Sequence, residues 1–248
     1  MKIEKFKKMA NGRYQLSLDN GNILQLYEEV ILKYELLLKK KIDSKDIVEI
    51  EEYNVEWDVY YTALKSLKSR FRSSYELRKL LLDKAYPVEL VDKAIKKLEE
   101  QKYLDDRSFT KGYINNQIII SSKGPNRIIK DLGTKGIDKS IIYDEIDVFD
   151  EEIQKEKINK IIKISIKSNR TRGGMVLKNK IVNDLVNNGY SYEVIQKVIN
   201  NYEFGNDSAV AKREYDKLYK RLSRKYSGRE LEYKIKEKLY QKGLSYED

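Results

Sequence analysis

Val186-Asn187-Asn188-Gly189-Tyr190-Ser191-Tyr192-Glu193 reads as the end of one helix and the start of the next. An apolar helical stretch stops, and a glycine stands where a left-handed residue commonly closes a helix. An aromatic residue follows, and then a serine suited to cap the next helix. The arrangement recurs as Leu82-Asp83-Lys84-Ala85-Tyr86-Pro87-Val88-Glu89, as Gly133-Thr134-Lys135-Gly136-Ile137-Asp138-Lys139 and as Tyr240-Gln241-Lys242-Gly243-Leu244-Ser245-Tyr246-Glu247. The anchor residues Ala85, Gly136, Gly189 and Gly243 are 51, 53 and 54 positions apart. A period near 50 indicates tandem small units. Ala85 departs from the pattern, because a β-carbon is mildly strained in the left-handed region.

Around each anchor the apolar residues fall at helical spacing. In the first unit the faces are Val59, Ala63, Leu67 and Phe71; Leu77, Leu80, Leu81 and Leu82; and Val91, Ala94, Ile95 and Leu98. In the second they are Phe109, Tyr113 and Ile120; Ile128, Ile129 and Leu132; and Ile141, Ile142 and Ile146. In the third they are Ile158, Ile161 and Ile162; Leu177, Ile181 and Leu185; and Val194, Ile195 and Val198. Leu218, Leu222, Leu231, Ile235 and Leu239 supply two helices of a fourth. The expected fold is mainly α, an array of tandem three-helix repeats. The expected divisions are 57–106, 107–150, 151–206 and an incomplete repeat at 207–248.

Residues 1–56 read differently. Ile3 to Phe6 precedes Asn11-Gly12; Tyr14, Leu16 and Leu18 alternate with polar residues; Asp19-Asn20-Gly21 precedes Ile23, Leu24 and Leu26. Alternation punctuated by Asn-Gly predicts a three-stranded β-meander. Helical spacing resumes from Glu28 to Leu38, and again from Ser44, the expected N-cap, to Tyr53.

Composition narrows the chemistry. The 248 residues include 12 Gly and 2 Pro, few helix breakers for this length, and no Cys or His. Disulfides, thiolate zinc sites, cysteine nucleophiles and histidine acid–base chemistry are therefore excluded. No apolar run approaches the ~20 residues that span a bilayer, and the first residues lack the apolar core of a signal peptide. A soluble, cytoplasmic protein is expected.

The net charge of +10 favours a polyanionic partner. Abundant Lys, Ile and Asn, with 20 Tyr against 5 Phe, indicate an AT-rich genome, so the location of charge says more than its total. Residues 1–56 carry −1 and residues 151–248 carry +8. Basic residues also recur before the second helix of each repeat. Arg70 and Arg72 precede Ser73-Ser74, Lys123 precedes Gly124-Pro125, Arg170 and Arg172 precede Gly173-Gly174, and Arg224 and Lys225 precede Ser227-Gly228. Equivalent positions in stacked repeats share an edge. Free N–H groups at a helix start beside cations suit phosphate or carboxylate, while ordinary capping explains the same small residues. Arg78, Arg127, Lys130, Lys178 and Arg229, on the second helices, complete the expected binding set.

Other motifs have plainer readings. Asp105-Asp106 at a helix entrance reads as a cap, and no further carboxylate stands at a spacing that completes a two-metal site. Gly173-Gly174 lacks the Lys-Ser/Thr of a phosphate loop. Trp57 reads as a packing residue. No catalytic residue, metal ligand or cofactor is expected.

Arg72-Ser73-Ser74-Tyr75-Glu76-Leu77, Lys84-Ala85-Tyr86 and Leu104-Asp105-Asp106-Arg107-Ser108-Phe109-Thr110-Lys111-Gly112-Tyr113 together resemble the RecX family, regulators of the bacterial recombinase RecA. The Gly124 to Gly136 segment fits as well. The match is strong over about 60–145 and extends to 204; Ala85 for Gly, Thr110 for Ala and the incomplete last repeat are departures. A monomer is expected. The resemblance implies a curved array of these repeats that lies in the groove of the RecA–single-stranded DNA filament and has no catalysis of its own. It also implies inhibition or remodelling of that filament in recombination, DNA repair and the SOS response. Direct contact with single-stranded DNA goes with that expectation. Charge alone supports an alternative, a sequence-nonspecific nucleic-acid-binding helical repeat.

Overall fold

The computed structural model describes residues 1–205 and 208–245. The chain forms two compact units: Met1–Phe109 with Lys135–Ile137, and Thr110–Thr134 with the described part of 138–248.

The N-terminal unit opens with the expected meander: β1 (Ile3–Lys8), β2 (Tyr14–Leu18) and β3 (Ile23–Leu26), antiparallel in the order β1-β2-β3. Phe6 pairs with Leu16, and Leu16 with Leu24. The period-2 alternation therefore puts Leu16, Leu18, Leu24 and Leu26 into one buried layer. Helices α1 (Glu28–Lys33) and α2 (Leu36–Lys39) follow. One continuous helix was expected here, but Glu35 adopts φ 52° and breaks it. Ile31 and Leu36, both buried, are five residues apart, which a continuous helix would turn to different faces. The break brings Leu36 back to the core.

Helix α3 (Ser44–Ser69) runs unbroken through residue 56, where the sequence suggested a division. Its Ile50 belongs to the core under the sheet, while Val59, Tyr60 and Ala63 belong to the next core. Trp57 packs against both and so has the packing role expected of it. Asp43, not Ser44, is the N-cap residue. Helices α4 (Ser74–Leu82) and α5 (Val88–Glu100) complete this three-helix group, with Leu77, Leu81, Val91, Ala94, Ile95 and Leu98 buried. Phe71 was expected on the core face of α3 but lies past its end and is 79% exposed.

Helix α6 (Asp106–Ile120) leads into the C-terminal unit, which holds α7 (Pro125–Thr134), α8 (Lys139–Ile146), α9 (Glu151–Ser168), α10 (Gly174–Asn187), α11 (Tyr192–Ile199), α12 (Ser208–Leu222) and α13 (Gly228–Tyr240). Ile114, rather than the 68% exposed Ile120, is the buried apolar residue in the latter half of α6. Ile128, Leu132, Ile142, Ile158, Ile162, Ile181, Leu185 and Ile195 occupy the expected core positions. Leu218, Leu222, Leu231, Ile235 and Leu239 form a further core with Leu244. The chain is thus mainly helical, built of three-helix repeats beside a small sheet. Tyr246 and Glu247 of the last expected junction lie outside the described residues.

All four junction anchors have positive φ: Ala85 61°, Gly136 72°, Gly189 94° and Gly243 69°. Each closes the preceding helix in the left-handed conformation.

Candidate functional site

The expected anion sites were the starts of the second helices. In α4, α7 and α10 those starts are occupied by the protein's own acceptors. The Ser74 N–H donates to Asp106 Oδ1 at 2.8 Å, and the Ser73 hydroxyl donates to the Lys135 carbonyl at 2.6 Å. The Gly124 N–H donates to the Asn188 carbonyl at 2.7 Å, and the Asn126 N–H to the Gly189 carbonyl at 3.1 Å. Gly173 donates to the Lys242 carbonyl at 3.0 Å and Gly174 to the Gly205 carbonyl at 3.1 Å. The phosphate-cradle reading of these three starts is therefore corrected. The donors at their leading edge are already taken, mainly by the junction turn of the following repeat.

The small residues there have a steric cause. A β-carbon on Gly124 would lie 2.6 Å from the Gly189 carbonyl carbon, and one on Gly173 would lie 2.8 Å from the Gly243 carbonyl oxygen. Ser73, the one non-glycine among these contact residues, is fully buried and is used on both sides. It accepts from the Glu76 N–H at 3.1 Å in a capping box and donates to Lys135. Lys135 also pairs with Glu76 at 2.7 Å. Burial pushes the Glu76 carboxyl up, but the Lys135 ammonium, the Ser73 N–H and Arg70 outweigh it and hold the group below its ordinary range.

The expected basic residues divide by what already holds them. Lys123 is half-buried and pairs with Asp131 at 2.6 Å, and the Tyr113 hydroxyl donates to the same carboxylate. Arg127 lies 3.7 Å from Asp131, and Arg78 pairs with Asp92 at 2.7 Å. Arg170 Nη1 donates to the carbonyls of Lys167 and Asn169, and Lys178 Nζ to Asn200. Arg72 is half-buried with its Nε unpartnered, and burial and neighbouring Arg70 lower its guanidinium below the ordinary value. Arg172 is half-buried beside the Asn169 turn. Arg70, Lys130, Arg224, Lys225 and Arg229 are exposed and have no ion-pair partner among the described residues.

Asp105 and Asp106, read together as a cap, do different work. Asp105 caps its own helix by accepting from the Arg107 and Ser108 amides at 2.9 and 3.2 Å. Those bonds and the Ser108 hydroxyl, foremost among the causes, hold its carboxyl below the usual range. Asp106 instead reaches the start of α4, 32 residues back. Among the described residues no group of carboxylates could hold a metal ion, and no helix is long and apolar enough to cross a membrane.

Charge counting passed over a cationic region on the near-neutral N-terminal unit. Two adjoining cavities, of about 650 and 450 Å³, share Leu64 and Lys68 on α3. Lys8, Arg13 and Lys65 line the larger, and Arg72 and Lys102 the smaller. These residues are far apart in sequence, and acidic residues elsewhere in the same segments cancel them in any count.

A family description, "RecX, second three-helix domain", matches residues 105–144. The chain is 30% identical over 257 residues to "Regulatory protein RecX" of Lactococcus lactis subsp. lactis (strain IL1403), covering 99% of this chain and 93% of that protein. It is 29% identical over 255 residues to the protein of the same name from Streptococcus pneumoniae (strain ATCC 700669 / Spain 23F-1), covering 100% and 96%. Among solved structures, one described as the crystal structure of regulatory protein RecX aligns with a TM-score of 0.69 at 27% identity, over 81% of this chain and 99% of that one. RecX from Lactobacillus salivarius shares the fold, with a TM-score of 0.57 at 24% identity over 60% and 97%.

Proposed function

This chain belongs to the RecX family of regulatory proteins, and from that premise we propose that it binds the RecA–single-stranded DNA filament and restrains it without catalysis of its own. Binding would inhibit or modulate the filament's recombinase, ATPase and coprotease activities in recombination and DNA repair. The observation that carries the reading is the likeness to RecX proteins along essentially the whole chain. The helical repeats themselves are scaffolding for binding, since three-helix units joined by short turns present many separated contacts rather than one reaction centre.

The exposed cations Arg70, Lys130, Arg224, Lys225 and Arg229 are the members of the expected set best placed to meet an acidic filament, because they are open to solvent and no ion pair holds them among the described residues. Each exposed contact is weak alone, and several engaged together bind through multivalency. The repeat divisions at 106/107 and 150/151 are part of this proposal, and the one expected at 206/207 lies outside the described residues. The test is RecA's DNA-dependent ATPase and strand exchange with the purified protein added. A dose-dependent fall is expected; no effect at several-fold excess over filament protomers sinks the reading.

A further inference from the structure

We propose that the two adjoining cavities on the N-terminal unit form a track for single-stranded nucleic acid, with phosphates on the cations and a base at the Phe71 and Tyr103 end. This deepens the regulatory reading by giving the strand a place on this chain itself.

The track is built on α3. Lys65 and Lys68 stand three residues apart and so share a helix face, and both line the larger cavity. Lys68 also lines the smaller one, with Arg72 just past the helix end and Lys102 opposite. Lys65, Lys68, Arg72 and Lys102 have no ion-pair partner among the described residues. Arg13 is held by Asp58 and the Tyr27 hydroxyl, which fixes its guanidinium on the wall. The acidic residues of the lining are Glu28 and Asp105, and Asp105 is already engaged by the Arg107 and Ser108 amides. Cations therefore dominate along a concave surface, where low-dielectric walls focus their field.

The far end adds aromatic rings. Phe71 is 79% and Tyr103 60% exposed, and both line the smaller cavity above Leu64, Leu67 and Phe109. Neither ring belongs to the core formed by α3, α4 and α5, so their exposure beside cations is not a part of that packing. Lys102, between Gln101 and Tyr103, holds φ 61°, a left-handed conformation that a lysine adopts at a cost. A strand alternates phosphate with a flat base, which matches a cationic groove ending in exposed rings. An acidic peptide would use the cations but does not carry a flat group with every charge as a strand does, so the strand is the favoured occupant.

The experiment uses the full chain without RecA. Binding of a fluorescein-labelled 12-nucleotide oligothymidylate is followed by anisotropy at several salt concentrations. Combined Lys65→Glu, Lys68→Glu and Lys102→Glu should weaken binding at least tenfold and reduce the salt slope by about 2. Phe71→Ala and Tyr103→Ala should each weaken it about fivefold or more. Tyr103→Phe, which keeps the ring, should bind as the parent does. Melting should be unchanged in all of them, since the altered groups are exposed. Absence of oligonucleotide binding by the intact chain overturns the track. So does binding that survives the lysine reversal yet disappears on reversal of Arg224, Lys225 and Arg229. Displacement by poly-glutamate as readily as by unlabelled oligonucleotide, with Phe71→Ala silent, reassigns the surface to an acidic peptide and overturns the proposal. A chain that restrains RecA's ATPase while failing these tests leaves the regulatory reading standing and removes only the track.

Discussion

Gly189 passes so close to Arg127 that a β-carbon at position 189 would lie 2.4 Å from the Arg127 amide nitrogen. Gly136 stands in the same relation to Tyr75, at 2.4 Å from its β-carbon, and Gly243 to the Gly173 carbonyl oxygen, at 2.5 Å. These glycines have two reasons to be glycine, a left-handed backbone and a helix start pressed against them. Ala85 meets only the first demand, with φ 61°, because it lies in the first repeat and no earlier repeat supplies such a helix start. The methyl that departs from the pattern sits where the pattern has no steric need.

Gly189→Ala should therefore destabilise by about 2–4 kcal/mol, combining left-handed strain with overpacking against backbone. Ala85→Gly should be stabilising by about 0.5 kcal/mol, the relief of strain exceeding the added chain entropy. Urea midpoints of the two variants should move in opposite directions; equal losses would show that the close approach at Gly189 is immaterial.

The split between Asp105 and Asp106 predicts separable losses. Asp105→Ala frays α6 and Asp106→Ala uncaps α4, each costing about 1 kcal/mol. Hydrogen exchange should rise at the first turn of α6 in one variant and at Ser74 to Glu76 in the other. Regulation of RecA should persist in both below their melting temperatures. Full stability with lost activity in either would reveal a functional carboxylate.

Glu76 makes stability acid-sensitive. Its folded pKa is depressed from the ordinary 4.5, so its contribution is complete above about pH 4.5 and declines as pH falls through the lower, folded value. Glu76→Gln should flatten that part of a urea-midpoint profile against pH, at a cost of about 1 kcal/mol near neutrality. An unchanged acid limb would mean that the Lys135 pair does not form in solution.

Basic residues alike in sequence should behave differently. Reversal to glutamate of Arg224, Lys225 and Arg229 should weaken filament binding and leave the melting temperature within the small range of surface changes, about ±0.5 kcal/mol. Lys123→Glu should instead destabilise the fold, because it replaces the cation that pairs with the part-buried Asp131 carboxylate by a like charge. Calorimetry and filament co-sedimentation on the same samples separate the two effects.

Local chemistry was legible in the sequence by itself. The meander, the junctions at 85, 136, 189 and 243 and most core faces follow from periodicity and from residues with strong backbone preferences, which act over a few positions. The RecX motifs were legible for the same reason, being continuous along the chain. Tertiary structure decided whatever depends on a partner distant in sequence. Phe71 and Ile120 fit the helical period yet face solvent, Asp106 serves a helix 32 residues back, and Glu35 breaks a helix so that Leu36 reaches the core. The basic set shows the same division. Spacing placed Arg72, Lys123 and Arg172 in register, but the Asp131 that claims Lys123 and the acceptors at three helix starts, the Asp106 carboxylate among them, are brought there only by packing. A charge count adds residues along the chain, whereas a field adds them in space, so the gathering of Lys8, Arg13 and Lys102 beside Lys65 and Lys68 of α3 was invisible until the chain was folded.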